Sequence, residues 1–146
     1  MLKGKTILVT GASSGIGRAV AQFFSTQGAR LVITGRSENR LGDTLSQLDG
    51  EGHFVISGDL SDTKVLKGIM DNVFDMVGLL DGVVHCAGIK KTLPLQALKE
   101  IDFDDSFAIN VKSAQFLIKF LRRKGKYNPD GTSVIFLSSV AATNGE

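Results

Sequence analysis

A doubly wound α/β domain with a parallel sheet is what this sequence predicts, and three observations lead there. Five short runs are almost continuously apolar and rich in β-branched residues, as strands buried on both faces are. Segments with helical periodicity separate them, and strand–helix–strand repetition winds a parallel sheet right-handedly. A glycine-rich turn, Thr10-Gly11-Ala12-Ser13-Ser14-Gly15-Ile16-Gly17, directly follows the first run.

The strands read as Thr6–Val9, Arg30–Thr34, Phe54–Ser57, Gly82–His85 and Ser133–Leu137. Ile16, Ala19, Val20, Phe23 and Phe24 form the stripe of a first helix, with Gly28 as its C-terminal stop. Leu41, Leu45 and Leu48 form a second, capped by Ser37. Val65, Leu66, Ile69, Met70, Val73 and Val77 form a third, between Ser61 or Asp62 and Gly78. From Asp104 to Lys124 the helix is apolar nearly all round, so it is buried in its own domain or meets another subunit. Arg122, Arg123, Lys124 and Lys126 at its end read as solvated cations near a helix C-terminus.

Composition narrows the function classes. The chain has 146 residues, one domain's worth, 42% of them hydrophobic. A net charge of +2, from 17 basic and 15 acidic residues, points away from nucleic acid and anionic membranes. No apolar run approaches membrane-spanning length, and the N-terminus lacks a signal-peptide pattern. One cysteine, Cys86, permits no internal disulfide and fits a reducing cytoplasm.

The glycine turn lies where a doubly wound sheet binds its ligand, at the carboxyl end of the first strand. Its glycines let the backbone approach phosphate closely. The helix that follows offers unpaired N–H groups and a positive dipole end, and Ser13 and Ser14 add hydroxyls. At the end of the second strand a nicotinamide dinucleotide domain carries an acid for the ribose hydroxyl. Here Gly35 stands in that place and Arg36-Ser37 follows, a planar cation and a hydroxyl suited to a 2′-phosphate. The expected cofactor is therefore NADP(H).

The motif Thr10-Gly11-x-x-x-Gly15-x-Gly17 resembles that of the short-chain dehydrogenase/reductase family, and further segments agree in order. Asp59-Leu60 look like the adenine-contacting pair. Cys86-Ala87-Gly88 match the end of the family's Asn-Asn-Ala-Gly motif, with His85-Cys86 replacing the asparagines. Asn110 resembles the active-site asparagine, and Ser139, with Ser138 beside it, the serine that holds the substrate oxygen. The resemblance implies a Rossmann-type fold and hydride transfer between nicotinamide and a carbonyl or alcohol. It also implies cofactor contacts at Gly11, Ser13, Ser14, Gly15, Ile16, Gly17, Arg36, Ser37, Asp59, Leu60, Cys86, Ala87 and Gly88.

The family's Tyr-x-x-x-Lys pair, which follows the serine by about a dozen residues, has no counterpart before Glu146. The only tyrosine, Tyr127, precedes the fifth strand and has no lysine four residues on. The expectation is an NADP(H)-binding domain over 1–146, truncated after the fifth strand and inactive alone. It would belong to a longer, homodimeric or homotetrameric reductase acting on a small carbonyl or alcohol. The resemblance is nearest in flavour to a 3-oxoacyl-acyl-carrier-protein reductase, and Lys90 and Lys91 suggest an acyl-carrier-linked substrate. A non-catalytic dinucleotide-binding module or an inert fragment is the alternative. His85 reads as a structural residue with no second metal ligand at a recognisable spacing, and Cys86 as a small buried side chain.

Overall fold

The computed structural model describes residues 1–140. Five strands, β1 (Thr6–Thr10), β2 (Arg30–Gly35), β3 (Phe54–Ser57), β4 (Gly82–His85) and β5 (Ser133–Phe136), form one parallel sheet in the order β3-β2-β1-β4-β5. The winding reverses between β1 and β4. All five strands begin at the residues expected from the sequence.

Alternation along the strands divides the core into two layers. Ile7, Val9, Leu31, Ile33 and Val84 point to one face, where helices α1 (Gly15–Thr26) and α2 (Glu38–Leu45) cover them. Leu8, Val32 and Val83 point to the other, under α3 (Thr63–Val77) and α5 (Ser113–Leu121). The cap assignments hold at α2, where Ser37 accepts from the Arg40 N–H. They hold at α3 as well, where Asp62 accepts from the N–H groups of Lys64 and Val65, and Gly78 ends the helix at φ +75°.

Two expectations are corrected. On α1 the buried positions are Gly17, Ala21 and Ser25, whereas Ile16 and Phe23 are exposed. The helix approaches the sheet through small residues; of the large side chains in the expected stripe, Val20 and Phe24 pack against the core at its edge, and Ile16 and Phe23 are carried away from it. The helix expected over 104–124 starts earlier, at Glu100, and is interrupted. α4 (Glu100–Phe107) passes through one wide π-turn, Ala108–Lys112, before α5 begins. The turn closes with the Ser113 N–H reaching the Ala108 carbonyl, five residues back.

The basic cluster is also more than solvated charge. Arg123 lies 2.7 Å from Asp71 of α3 and over the rings of Phe74 and Phe120, so it pins α5 onto α3.

Candidate functional site

The strand ends beside the winding reversal open into a cleft of about 760 Å³. Its wall begins with the glycine turn. Gly11 has φ +66°, and a Cβ there would meet the backbone of Cys86 and Ala87 at 2.7–2.9 Å. A Cβ on Gly17 would collide with the Gly11 carbonyl oxygen. Only hydrogen atoms fit at these two positions, so the turn lies flat between β1, β4 and the first turn of α1. Gly15, at φ +55°, faces open space. Ser14 precedes α1 without spending its hydroxyl on a cap, and the first turn of α1 carries no acid. The N–H groups there remain available to an anion.

A hydrogen-bonded bracket outside the cleft holds this turn. Ala12 N–H donates to the Thr34 carbonyl, 3.1 Å away. Arg18 donates to the Ser13 carbonyl at 2.7 Å and to Thr44 Oγ1 at 2.9 Å, while the Thr44 hydroxyl lies 2.9 Å from the Ala12 carbonyl. Arg18 therefore ties the glycine turn to α2. Sequence reasoning missed it. The available signal was a cation near a helix N-terminus, where the dipole disfavours one unless it has fixed partners.

Arg36 and Ser37 line the far end of the cleft with Arg40. A Cβ on Gly35 would come within 3.3 Å of Ser13 Oγ, a close approach that glycine avoids. Asp59 follows β3. Burial raises its pKa, but the Ser61 N–H and hydroxyl and the Arg36 charge outweigh burial, so its carboxyl sits below the usual range. Leu60 is buried beneath, and Cys86, Ala87 and Gly88 close the opposite side. Every residue named in the sequence as a cofactor contact lines this one cleft. Burial pushes the Cys86 thiol pKa up, which fits a packing role rather than nucleophilic chemistry.

Asn110 sits in the π-turn, and both ends of its side-chain amide bond backbone. Its Oδ1 accepts from the Ile89 N–H and its Nδ2 donates to the Ile89 carbonyl, both at 2.9 Å. The pair pins α4 to the segment after β4, and the side chain lies so close to Gly88 that a Cβ there would meet Oδ1 at 3.0 Å. The side-chain amide thus acts as a brace. A second cleft, about 320 Å³, shares Cys86, Ala87 and Gly88 with the first and is lined also by His85, Asn110 and Leu137. Ser139 lies exposed beyond β5 and lines neither cleft among the described residues.

His85 is buried, and both ring nitrogens are bonded: Nδ1 to Thr10 Oγ1 at 2.8 Å and Nε2 to Ser113 Oγ at 3.0 Å. Burial lowers its pKa. Among the described residues no cluster of His, Cys, Asp or Glu could hold a metal ion, and no helix is long and apolar enough to cross a membrane.

A glycine turn at the winding reversal of a parallel sheet, with polar residues at the neighbouring strand ends, defines a dinucleotide-binding class of α/β protein. Comparison makes the assignment specific: residues 5–146 match the family model for short chain dehydrogenase. The chain belongs to that family. It is 33% identical over 144 residues to a D-threitol dehydrogenase of Mycolicibacterium smegmatis, covering 97% of this chain and 55% of that protein. It is also 33% identical to a glucose 1-dehydrogenase of Gluconobacter oxydans, covering 94% and 53% respectively. A solved short-chain dehydrogenase/reductase from Serratia marcescens superposes with a TM-score of 0.88 at 28% identity, over 97% of this chain and 58% of that one. The chain thus spans about half the length of the curated relatives it matches.

Proposed function

We propose that this chain is the NADP(H)-binding part of an oxidoreductase that interconverts a carbonyl and an alcohol on a small molecule. The observation that carries the cofactor choice is the far end of the cleft. Gly35 packs against Ser13 where an acid would select a free ribose hydroxyl, and Arg36 and Ser37 follow immediately. The bound nicotinamide would supply the hydride. The glycine turn and the α1 N-terminus would hold the pyrophosphate, Arg36 and Ser37 the 2′-phosphate, and Asp59 and Leu60 the adenine end.

Ser139 would hold the substrate oxygen. Asn110, braced on Ile89, would fix the segment after β4 against α4, beside the cleft that would hold the cofactor. The chain to Glu146 carries no Tyr-x-x-x-Lys pair to donate the proton, so residues 1–146 alone would show no turnover.

For the substrate, the D-threitol and glucose dehydrogenase relatives support a polyhydroxylated alcohol or its carbonyl partner. The acyl-carrier alternative drew on Lys90 and Lys91. Lys91 already binds Asp102 and Asp105, both at 2.9 Å, which leaves it poorly placed to receive an acidic carrier.

Two measurements on the natural full-length protein test the reading. Arg36→Ala should weaken NADPH by about 1.5–3 kcal/mol, the range of a lost charge-assisted contact, while NADH binding hardly moves. Equal loss for both nucleotides would remove the NADP(H) assignment. Ser139→Ala should lower turnover about a hundredfold or more with nucleotide affinity intact, as losing a positioned donor to a developing oxyanion does. A full-length protein that binds NADPH but reduces neither sugars, polyol-derived ketones nor 3-oxoacyl compounds would favour the non-catalytic module.

A further inference from the structure

The hydrogen bonds around His85 favour one arrangement of protons. The Ala87 N–H donates to Thr10 Oγ1 at 3.2 Å, so the Thr10 hydroxyl is free to donate its single proton. Thr10 is fully buried, and a bare His85 Nδ1 at 2.8 Å gives its proton an acceptor. From the other side, the Ser113 hydroxyl donates back to the Ile109 carbonyl. Its oxygen can then only accept from His85, so Nε2 must carry the hydrogen. The Ser113 end requires a hydrogen on Nε2, and the Thr10 end is satisfied by the bare Nδ1 of that same neutral tautomer.

The consequence lies in what the last bond holds. Ile109 is inside the π-turn and directly precedes Asn110. A wide turn of this kind is uncommon and costs regular helix bonding. Here the Ser113 hydroxyl occupies the Ile109 carbonyl, and Asn110 on the same turn grips Ile89. Ala87, Thr10, His85, Ser113, Asn110 and Ile89 thus form a closed circuit, completed through the backbone of residues 87–89. It joins the glycine turn to the residue that braces the segment after β4. The one long side chain able to cross from β1 to α5 in this circuit is His85.

We propose that His85, as the neutral Nε2–H tautomer, is a positioning residue that keys the Asn110 turn to the cofactor turn through Ser113. Its role in turnover rests on the oxidoreductase reading above; its role in geometry does not.

The test uses the full-length protein labelled with ¹⁵N. The imidazole resonances that vanish in His85→Gln identify His85, and they should show a protonated Nε2 and a bare Nδ1. In Ser113→Ala and His85→Phe the Asn110 side-chain amide resonances should shift. Turnover per folded molecule should fall about tenfold in both, the scale of a typical coupling between bonded neighbours, with NADPH affinity nearly unchanged. His85→Gln, whose amide nitrogen can reach Ser113, should recover most of that loss. An Nδ1–H tautomer, or unmoved Asn110 resonances in Ser113→Ala, would overturn the proposal whatever the activity. So would full turnover in both His85→Phe and Ser113→Ala in a protein whose wild type is active. An inactive wild type with the expected resonances would instead overturn the oxidoreductase reading and leave the positioning role standing.

Discussion

The two flanks of the sheet differ in how far they are finished. On the β2 side of β1, strand faces are covered, the glycine turn is bracketed by Arg18 and Thr44, and core residues are nearly inaccessible to water. On the β5 side, Ile135, Phe136 and Leu137 are about half exposed, and α4 buries no residue at all. Ile101, Phe103 and Phe107 of α4 face outward, with the Phe103 and Phe107 rings stacked at 5.7 Å. The cleft beside the glycine turn therefore needs little beyond the packing of its own βαβ units. The apolar surface on the other flank is of the kind that another element or subunit covers.

That contrast is broken most severely at the glycine turn. Gly17→Ala drives a methyl group into the Gly11 carbonyl, and both groups are backbone, so neither can turn aside. Stability should fall by about 2–3 kcal/mol, the scale of an overpacked core, and nucleotide binding should fall with it. Urea unfolding of the variant against the parent chain measures the first. An alanine accepted without loss would show that the turn is looser than its geometry.

How much of this was legible in the sequence follows the same division. The strands and the cleft residues could be read because buried parallel strands are apolar throughout and phosphate turns demand glycine at fixed spacing. The α1 stripe could be read only in part: Val20 and Phe24 do pack against the core, but periodicity counts large side chains, and a helix brought close by Gly17 and Ala21 buries small ones most deeply. The π-turn could not be read: one extra residue leaves the apolar pattern of 100–121 almost intact, and only the Asn110 and Ser113 bonds reveal it. His85 was legible as a satisfied histidine but not in its partners, because Thr10 and Ser113 stand 75 and 28 residues away in the chain.

A smaller effect is expected at the amino-terminal ends of the central strands, where Asp81 joins β1 to β4. Its carboxylate accepts the Thr6 N–H at 2.9 Å and pairs with Lys5 at 3.0 Å. The Thr6 bond, with Lys5 adding to it against a burial contribution, holds its pKa below the ordinary carboxylate value. A lowered folded pKa means the stabilisation is complete above the unfolded value near 4 and disappears as pH falls through the folded one. Asp81→Asn should therefore cost about 1 kcal/mol at neutral pH, with the part-exposed side chain keeping the figure modest. The gap from wild type should close below about pH 4. A gap independent of pH would mean that shape rather than charge holds the strands.

The smallest effect on the chain's own stability, and the sharpest test of the contrast, belongs to α4. The sequence left open whether the helix from Asp104 to Lys124 is internal or an interface, and the structure divides it. Phe120 is buried and Phe116 packs against the α3–α5 core, so a charge at Phe120 should unfold the domain rather than separate subunits. Phe103 and Phe107 are more than half exposed and belong to neither core layer. Phe107→Asp should change the unfolding free energy of residues 1–146 by no more than about 0.5 kcal/mol, as surface substitutions do. If the expected homo-oligomer of the full-length protein forms through this face, the same substitution should shift its mass in light scattering towards the monomer. A fully assembled Phe107→Asp variant would show that assembly does not run through this face. A strongly destabilised 1–146 variant would show instead that α4 already contributes to the core, and the two flanks would be more alike than their exposures indicate.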